Sequence, residues 1–390
     1  MILEQEKRAI IRFIILMGVV SLFADMVYET ARGVMGPYLG YLGANAFAIG
    51  LVFGIGEFLG YFLRIFAGAI IDRTRKYWSF VYIGYGAIAS IPLLAFADYW
   101  LVAGTLIIME RIGKAIRSPA KDTIISIYSK NLGKGLTFGI HETADQLGAV
   151  AGPALFYLLL LGLGYKNSFL VLFIPFLLMV GAIIVAKNYS KKIAVEVSKE
   201  ELSNNSRSNT SVYLYLAFIF LTSLGFIGFP ILSFHAVKTK LISDTLIPLI
   251  YSLVMVLDAL VAVPIGILYD KFGIKVMTFL PIAISITVAF GLSNNILLLV
   301  IALLLWGVIM SSYETVVRAY VGDNVSLAER GTFYGIFNTI LGLSLALGNS
   351  IAGYIYEINK NLIIYLAILI EIIAMFLIIP LITRSGVRNK

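Results

Sequence analysis

Apolar residues in this chain come in long unbroken runs, not in short alternating stretches or one-sided stripes. Twelve runs stand out, near 9–40, 46–71, 77–96, 100–128, 135–161, 167–187, 211–236, 245–269, 274–292, 296–324, 330–356 and 360–383. A membrane-spanning helix needs about 20 mostly apolar residues, and each run approaches or exceeds that length. The third and fourth are separated by little more than Ala97, Asp98 and Tyr99. None shows the ten-residue alternation of barrel strands, and a helix satisfies its own backbone hydrogen bonds in hydrocarbon. The pattern predicts an all-α membrane protein with twelve transmembrane helices. The widest polar interruption, KNYSKK followed by KEELSNNSRSNTS, falls between the sixth and seventh runs. It reads as a linker. The expected organisation is a six-helix bundle over 1–187, a linker over 188–210 and a second six-helix bundle over 211–390.

Composition agrees with this pattern. The chain is 60% hydrophobic and 13% charged, with a mean hydropathy of +0.94, against about 25% charged residues in a soluble domain. The net charge of +8 raises nucleic acid as a partner, but its distribution points to topology instead. Nineteen of the thirty lysines and arginines fall on one side: the N-terminus, the even-to-odd loops and the C-terminus. Lys166, Lys238, Lys240 and Lys360 fall on the other. The positive-inside rule places the rich side, with both termini, in the cytoplasm. A plasma-membrane protein follows, with no nucleic-acid role. The first run continues through Asp25 and Glu29 without a small-residue cleavage site, so it reads as a retained span. With no cysteine, a disulfide framework and a thiolate metal site are both excluded.

A short pattern occurs twice. Gly68, Asp72 and Arg73 form G-x-x-x-D-R after the second run, followed by Arg75 and Lys76. Gly266, Asp270 and Lys271 form G-x-x-x-D-K after the eighth, followed by Gly273 and Lys275. The two aspartates are 198 residues apart in a chain of 390. Gly139-Ile140-His141-Glu142-Thr143 and Gly335-Ile336-Phe337-Asn338-Thr339 repeat at an offset of 196. Repetition at half-length implies duplication. Glycine permits close helix packing, and an aspartate at a helix end can cap a neighbouring helix N-terminus.

Twelve spans, a central basic loop and this repeated motif resemble the major facilitator superfamily over essentially the whole chain. The second copy matches well; the first lacks the later glycine, with Arg75 in that region. The resemblance implies two pseudo-symmetric bundles and a cytoplasmic gate built from Gly68, Asp72, Arg73, Gly266, Asp270, Lys271 and Gly273, with Arg117 joining it from the fourth span. Gly148, Gly152 and Pro153 form G-x-x-x-G-P, similar to the antiporter motif of that superfamily but without its terminal glycine pair. Generic small-residue packing explains the same residues.

Charges inside the spans carry the candidate chemistry. A charge at mid-bilayer costs about 2.5–3.5 kcal/mol on insertion scales, so such residues face a cavity or a partner. Asp25, Glu29 and Arg32 form one stripe of the first span. Glu57 and Arg64 lie two turns apart in the second. Glu110, Lys114, Arg117 and Lys121 run along the fourth, with Arg111 beside them, and His141, Glu142 and Asp145 belong to the fifth. A carboxylate without a full-time cation can exchange a proton, since desolvation favours its neutral form. Asp25, Glu29, Glu57, His141, Glu142 and Asp145 are the proton-coupling candidates. Arg32, Arg64, Arg111, Lys114, His235, Asp258, Glu314, Arg318 and Asn338 are the substrate candidates. A static salt-bridge network is the competing explanation for any one of them. Aromatic residues of the seventh span, Phe218, Phe220, Phe226, Phe229 and Phe234, could wall the substrate or simply pack.

The expected function is proton-coupled secondary transport of a small molecule by alternating access, as an exporter or antiporter of an organic or drug-like compound. A proton symporter for a sugar or organic anion is the alternative; the many N-half cations suit an anion. Divalent-metal export through Asp25, His141 and His235 is a third reading, since oxygen and imidazole ligands suit first-row metals. An intramembrane metalloenzyme is remote, because Asp145 stands where H-E-x-x-H needs its second histidine. A non-transporting receptor of the same fold is equally remote. The expected partners are protons, a small-molecule substrate and the bilayer, with no cofactor, and the protein is expected to be a monomer.

Overall fold

The computed structural model describes residues 2–129, 134–191, 210–324 and 330–386, with side chains at 8–71, 73–127, 141–191, 212–316, 320 and 333–382. Most of the expected linker therefore lies outside the described residues, as do the side chains of Asp72 and Arg318.

No strand occurs among the described residues. The helices are α1 (Ile2–Tyr41), α2 (Ala46–Thr74), α3 (Tyr77–Gly86), α4 (Trp100–Ser129), α5 (Lys134–Val171), α6 (Phe173–Ser190), α7 (Thr210–Gly225), α8 (Phe229–Lys238), α9 (Ile247–Phe272), α10 (Phe279–Gly291), α11 (Ile296–Asn324), α12 (Arg330–Ile358) and α13 (Lys360–Gly386). Two 3-10 segments, Ala87–Ser90 and Pro92–Phe96, extend α3 into the third span, and Gly273–Thr278 leads into α10. Gly164, with φ 66°, interrupts α5 where the fifth span hands over to the sixth. Among the described residues nine helical stretches are long and apolar enough to cross a membrane, and two of them, His141–Ser190 and Asp244–Gly291, run to 50 and 48 residues.

The seventh span breaks where the sequence reads as one helix. α7 ends at Gly225, α8 starts at Phe229, and Pro230 sits in the first turn of α8. Proline is tolerated there because its missing N–H would be unsatisfied anyway. Side chains of other helices satisfy the exposed backbone. Gly228 N–H donates to Asn349 Oδ1 at 2.6 Å, and Trp306 Nε1 donates to the Ile227 carbonyl at 3.1 Å.

The chain forms two compact units: Met1–Val34 with Phe62–Glu200, and Met35–Tyr61 with Glu201–Lys390. In the first, α1 and α5 approach through small residues. A Cβ on Gly148 would meet the Leu22 carbonyl and come within 2.8 Å of Asp25 Cβ; one on Gly152 would meet the Met26 carbonyl. The two glycines of the antiporter-like motif thus seat α5 against the turn of α1 that carries Asp25. Their contacts are backbone packing. In the second unit, α12 runs along the first half of α2, with Ala346 against Gly54 and Gly342 against Glu57 and Phe58.

The two copies of the repeated motif end their helices alike. Gly273 closes α9 with φ 60° and donates its N–H to the Tyr269 carbonyl. Arg75 follows α2 with φ 53° and donates to the Ile71 carbonyl at 2.7 Å. Arginine therefore takes a positive φ at the position where glycine takes one in the other copy. A Cβ there costs about 1–2 kcal/mol. Arg75→Gly should raise stability by about 1 kcal/mol, less than the full cost because glycine also loosens the unfolded chain. Gly273→Ala should lower it by a similar amount. Thermal unfolding of the purified protein reads both signs, and a stabilising Gly273→Ala would contradict this account.

Candidate functional site

The first unit gathers the charges. Glu110 of α4, 1% exposed, accepts from Arg117 Nη2 at 3.1 Å and stands 3.2 Å from Arg111 Nε. Arg117 also donates to the Gly84 carbonyl at 3.4 Å. Tyr28 of α1 presents its ring face to three cations of α4: Lys114 at 4.6 Å, Arg117 at 5.0 Å and Arg111 at 5.9 Å from the ring centre. A ring face attracts cations within about 6 Å, so α1 is held against α4 by this stack.

A second chain of contacts links α4, α5 and α1. Lys121 Nζ lies 3.7 Å from Asp145 Oδ2, and His141 Nδ1 lies 3.2 Å from Asp145 Oδ1. His141 Nε2 meets Ser21 Oγ at 2.9 Å, which in turn lies 3.4 Å from the Tyr85 hydroxyl. The ring of Tyr85 then carries Arg117 at 5.2 Å. The two networks join at Arg117.

Around Lys114 four cations converge, because Arg32, Arg64 and Arg111 all lie within electrostatic range of it. Arg32 pairs with Glu29 at 3.1 Å, and Arg111 with Glu110. Lys114 Nζ has no carboxylate at salt-bridge distance among the described residues; it rests on the Tyr28 ring. Asp25 is buried within range of Asp145, Glu29 and Lys114. Among the described side chains this cluster sets six buried or half-buried cations (Arg32, Arg64, Arg111, Lys114, Arg117, Lys121) against four carboxylates (Asp25, Glu29, Glu110, Asp145). The cluster is net positive.

Several expected residues stand apart from this cluster. Glu142 is exposed and reaches only Gln146, at 3.5 Å. Arg73 is exposed, and Arg117 points its guanidinium into the Glu110 network. A Cβ on Gly68 would stand 4.0 Å from Pro119 Cβ and one on Gly266 3.6 Å from Thr315 Cγ2, while Asp270 and Lys271 are exposed. In the second unit Glu57 is buried against α12, Asp258 is buried with its carbonyl bonded to Ser311, Glu314 is exposed and Asn338 is half-buried.

Each histidine has both ring nitrogens engaged. His235 Nδ1 meets the Tyr356 hydroxyl at 2.7 Å, and Nε2 meets the Ser293 carbonyl at 3.2 Å. A metal ion at His141 or His235 would have to displace these partners. Phe218, Phe226 and Phe229 are fully buried, with Phe226 stacked on Trp306 at 5.7 Å and Phe229 edge-on to Tyr251 at 4.8 Å. They are core.

The sequence gives no signal for Ser21, Tyr28 and Tyr85, and it names Glu110 only as a charge on the stripe of the fourth span, with no proton or substrate role. Ser21 does precede Asp25 by one turn, on the same stripe. Glu371, 1% exposed on α13, gave no signal beyond being a lone carboxylate in an apolar run.

The sequence matches the Major Facilitator Superfamily profile over residues 17–236 and 213–390. An uncharacterized protein of Mycobacterium tuberculosis is 35% identical over 373 residues, covering 93% of this chain and 91% of that one. An uncharacterized MFS-type transporter of Methanocaldococcus jannaschii is 31% identical over 376 residues, covering 92% of each. Similar solved structures include a mutant of the nucleoside transporter NupG, with a TM-score of 0.76 at 14% identity over 95% of this chain and 99% of that one. The peptide transporter POT in complex with sulfate gives 0.75 at 14% identity, over 96% and 95%. At these identities the likeness is one of fold.

Removing Glu110 leaves two buried guanidinium groups without their carboxylate, a change that costs about 3–5 kcal/mol. Glu110→Ala should therefore lower stability by that amount. Glu142→Ala, on the exposed face, should stay within about 0.5 kcal/mol of wild type. Denaturant unfolding of the two purified variants makes the comparison, and equal losses would contradict the assigned partners.

Proposed function

The chain belongs to the major facilitator superfamily, whose members are transporters and not enzymes, and from that premise we propose that it is a proton-coupled symporter of an organic anion. The carrying observation is the convergence of Arg32, Arg64, Arg111 and Lys114 inside one unit, with the Lys114 ammonium resting on a tyrosine ring. Guanidinium groups bind carboxylates and phosphates bidentately, and a water-poor site makes each such contact strong.

Coupling follows from Asp25. Its carboxylate shares Lys114 with Glu29 and is crowded by Asp145. A proton on Asp25 relieves that like-charge crowding and releases Lys114 for the substrate. Proton and anion then bind together. The halves 1–187 and 211–390, joined by 188–210, rock about the site, with the two aspartate-motif loops as the cytoplasmic gate. The termini lie in the cytoplasm, and the protein works as a monomer in the plasma membrane. Drug-like export draws less support: Gly148 and Gly152, which suggested it, make ordinary backbone contacts with α1.

Uptake into proteoliposomes under an inward proton gradient tests this reading. Organic carboxylates and phosphates should accumulate, while cationic dyes should not. Lys114→Gln removes a charge-assisted contact of about 1.5–3 kcal/mol and should raise KM about 10–100-fold. Asp25→Asn should retain exchange but lose gradient-driven accumulation. Gradient-driven accumulation in Asp25→Asn, or transport confined to cations, would contradict the proposal.

A further inference from the structure

The most deeply buried carboxylate of the second unit takes no part in the charge network of the first. Glu371 lies midway along α13 and is 1% exposed. Among the described residues neither carboxylate oxygen has a hydrogen-bond partner. It faces the break in the seventh span. A Cβ on Gly225 would collide with Glu371 Oε1 and stand 3.3 Å from its Cδ. Gly225 is the last residue of α7, so the carboxyl abuts the helix's carbonyl end, which carries about half a negative charge.

Among the described side chains the surroundings supply no cation. From α11 comes the Tyr313 hydroxyl, within range of Glu371, and beside Tyr313 lie the Thr222 and Ser223 hydroxyls of α7. Ser223 Oγ and Tyr313 Oη are themselves buried without a hydrogen-bond partner. The other titratable groups on α7 with described side chains are Tyr213 and Tyr215. α10 carries no ionisable residue. On α12, Arg330 and Glu357 lie at its two ends, with Tyr334, Tyr354 and Tyr356 between them. Lys275, in the segment leading into α10, is exposed, and Lys360, Tyr365 and Arg384 lie several residues away along α13. Among the described side chains none makes an ion pair with Glu371. Among them, an ionised carboxylate here would face a helix C-terminus and hydroxyl dipoles. Burying an isolated charge is far costlier than neutralising it. A positive occupant is therefore required, and a single carboxyl among hydroxyls suits a proton.

We propose that Glu371 is a proton-binding site at the broken seventh span, separate from the cation cluster of the first unit, with the Tyr313 hydroxyl as its neighbour and Ser223 beside Tyr313. Half-helix carbonyl ends serve as cation and proton sites in transporters built on discontinuous helices. Loss of this proton sets a carboxylate against the end of α7, and so loads the hinge at 226–228. The site needs no transported anion, so it stands or falls apart from the substrate reading.

Infrared spectroscopy of the purified protein tests it. Wild type at neutral pH should show the carbonyl band of a protonated carboxylic acid, absent from Glu371→Gln and shifted in Ser223→Ala. Glutamine mimics the protonated acid, so Glu371→Gln should fold. The native state holds a proton that the unfolded chain has released, so raising the pH above neutrality should lower wild-type Tm and leave Glu371→Gln less affected. If Glu371→Gln cannot be purified, the band shift in Ser223→Ala decides alone. A band unchanged in both variants would overturn the proposal. So would stabilisation of wild type by Na⁺ over choline at equal ionic strength with the acid band absent, since a metal cation would then be the occupant.

Discussion

A charge in hydrocarbon must find its partner inside the protein, and Glu110 meets that constraint for the whole first unit. It lies between Arg111 and Arg117, and Arg117 in turn rests on Tyr28 and Tyr85. Those contacts tie α4 to α1 and α3 at once. With Arg111 and Arg117 held by Glu110, Lys114 rests on the Tyr28 ring with no carboxylate at salt-bridge distance among the described residues. A fixed ion-pair hub and an ammonium on a ring one turn away are two outcomes of the same helix stripe. The first explains why so many charges are tolerated. The second gives the unit something to do.

The repeated motif shows what duplication preserves. Both copies end a helix with a residue of positive φ, although one copy supplies glycine and the other arginine. Backbone geometry has outlasted the residue that best suits it. The interiors have diverged further. The first unit holds an ion-pair network, whereas the second holds stacked aromatics around Trp306, a histidine satisfied by Tyr356 and Ser293, and a carboxyl at a broken helix.

The fold was largely legible in the sequence because the bilayer imposes one length and one polarity on every span. The apolar runs at 46–71, 77–96 and 296–324 begin where the helices begin. The break at 226–228 was not legible. Gly225, Gly228 and Pro230 are compatible with a continuous helix, and what stabilises the break is Asn349 and Trp306, far away in sequence. For the site, helical spacing placed Asp25, Glu29 and Arg32 together but could not separate Glu110 from its neighbours on α4. Nor could it show that Glu142 turns outward while His141, beside it, turns inward. Rotation of a helix about its own axis depends on which faces pack, and small residues such as Gly148 and Gly152 decide that.

The central claim is that the net-positive cluster of the first unit recognises an anion. Ligand-induced thermal stabilisation of the purified wild-type protein tests it most directly, using matched organic carboxylates, neutral analogues and amines. The account expects Tm to rise with a carboxylate, and to do so more at acidic than at alkaline pH, because the proton on Asp25 frees Lys114. Stabilisation by amines alone, or carboxylate binding that strengthens as the pH rises, would contradict it.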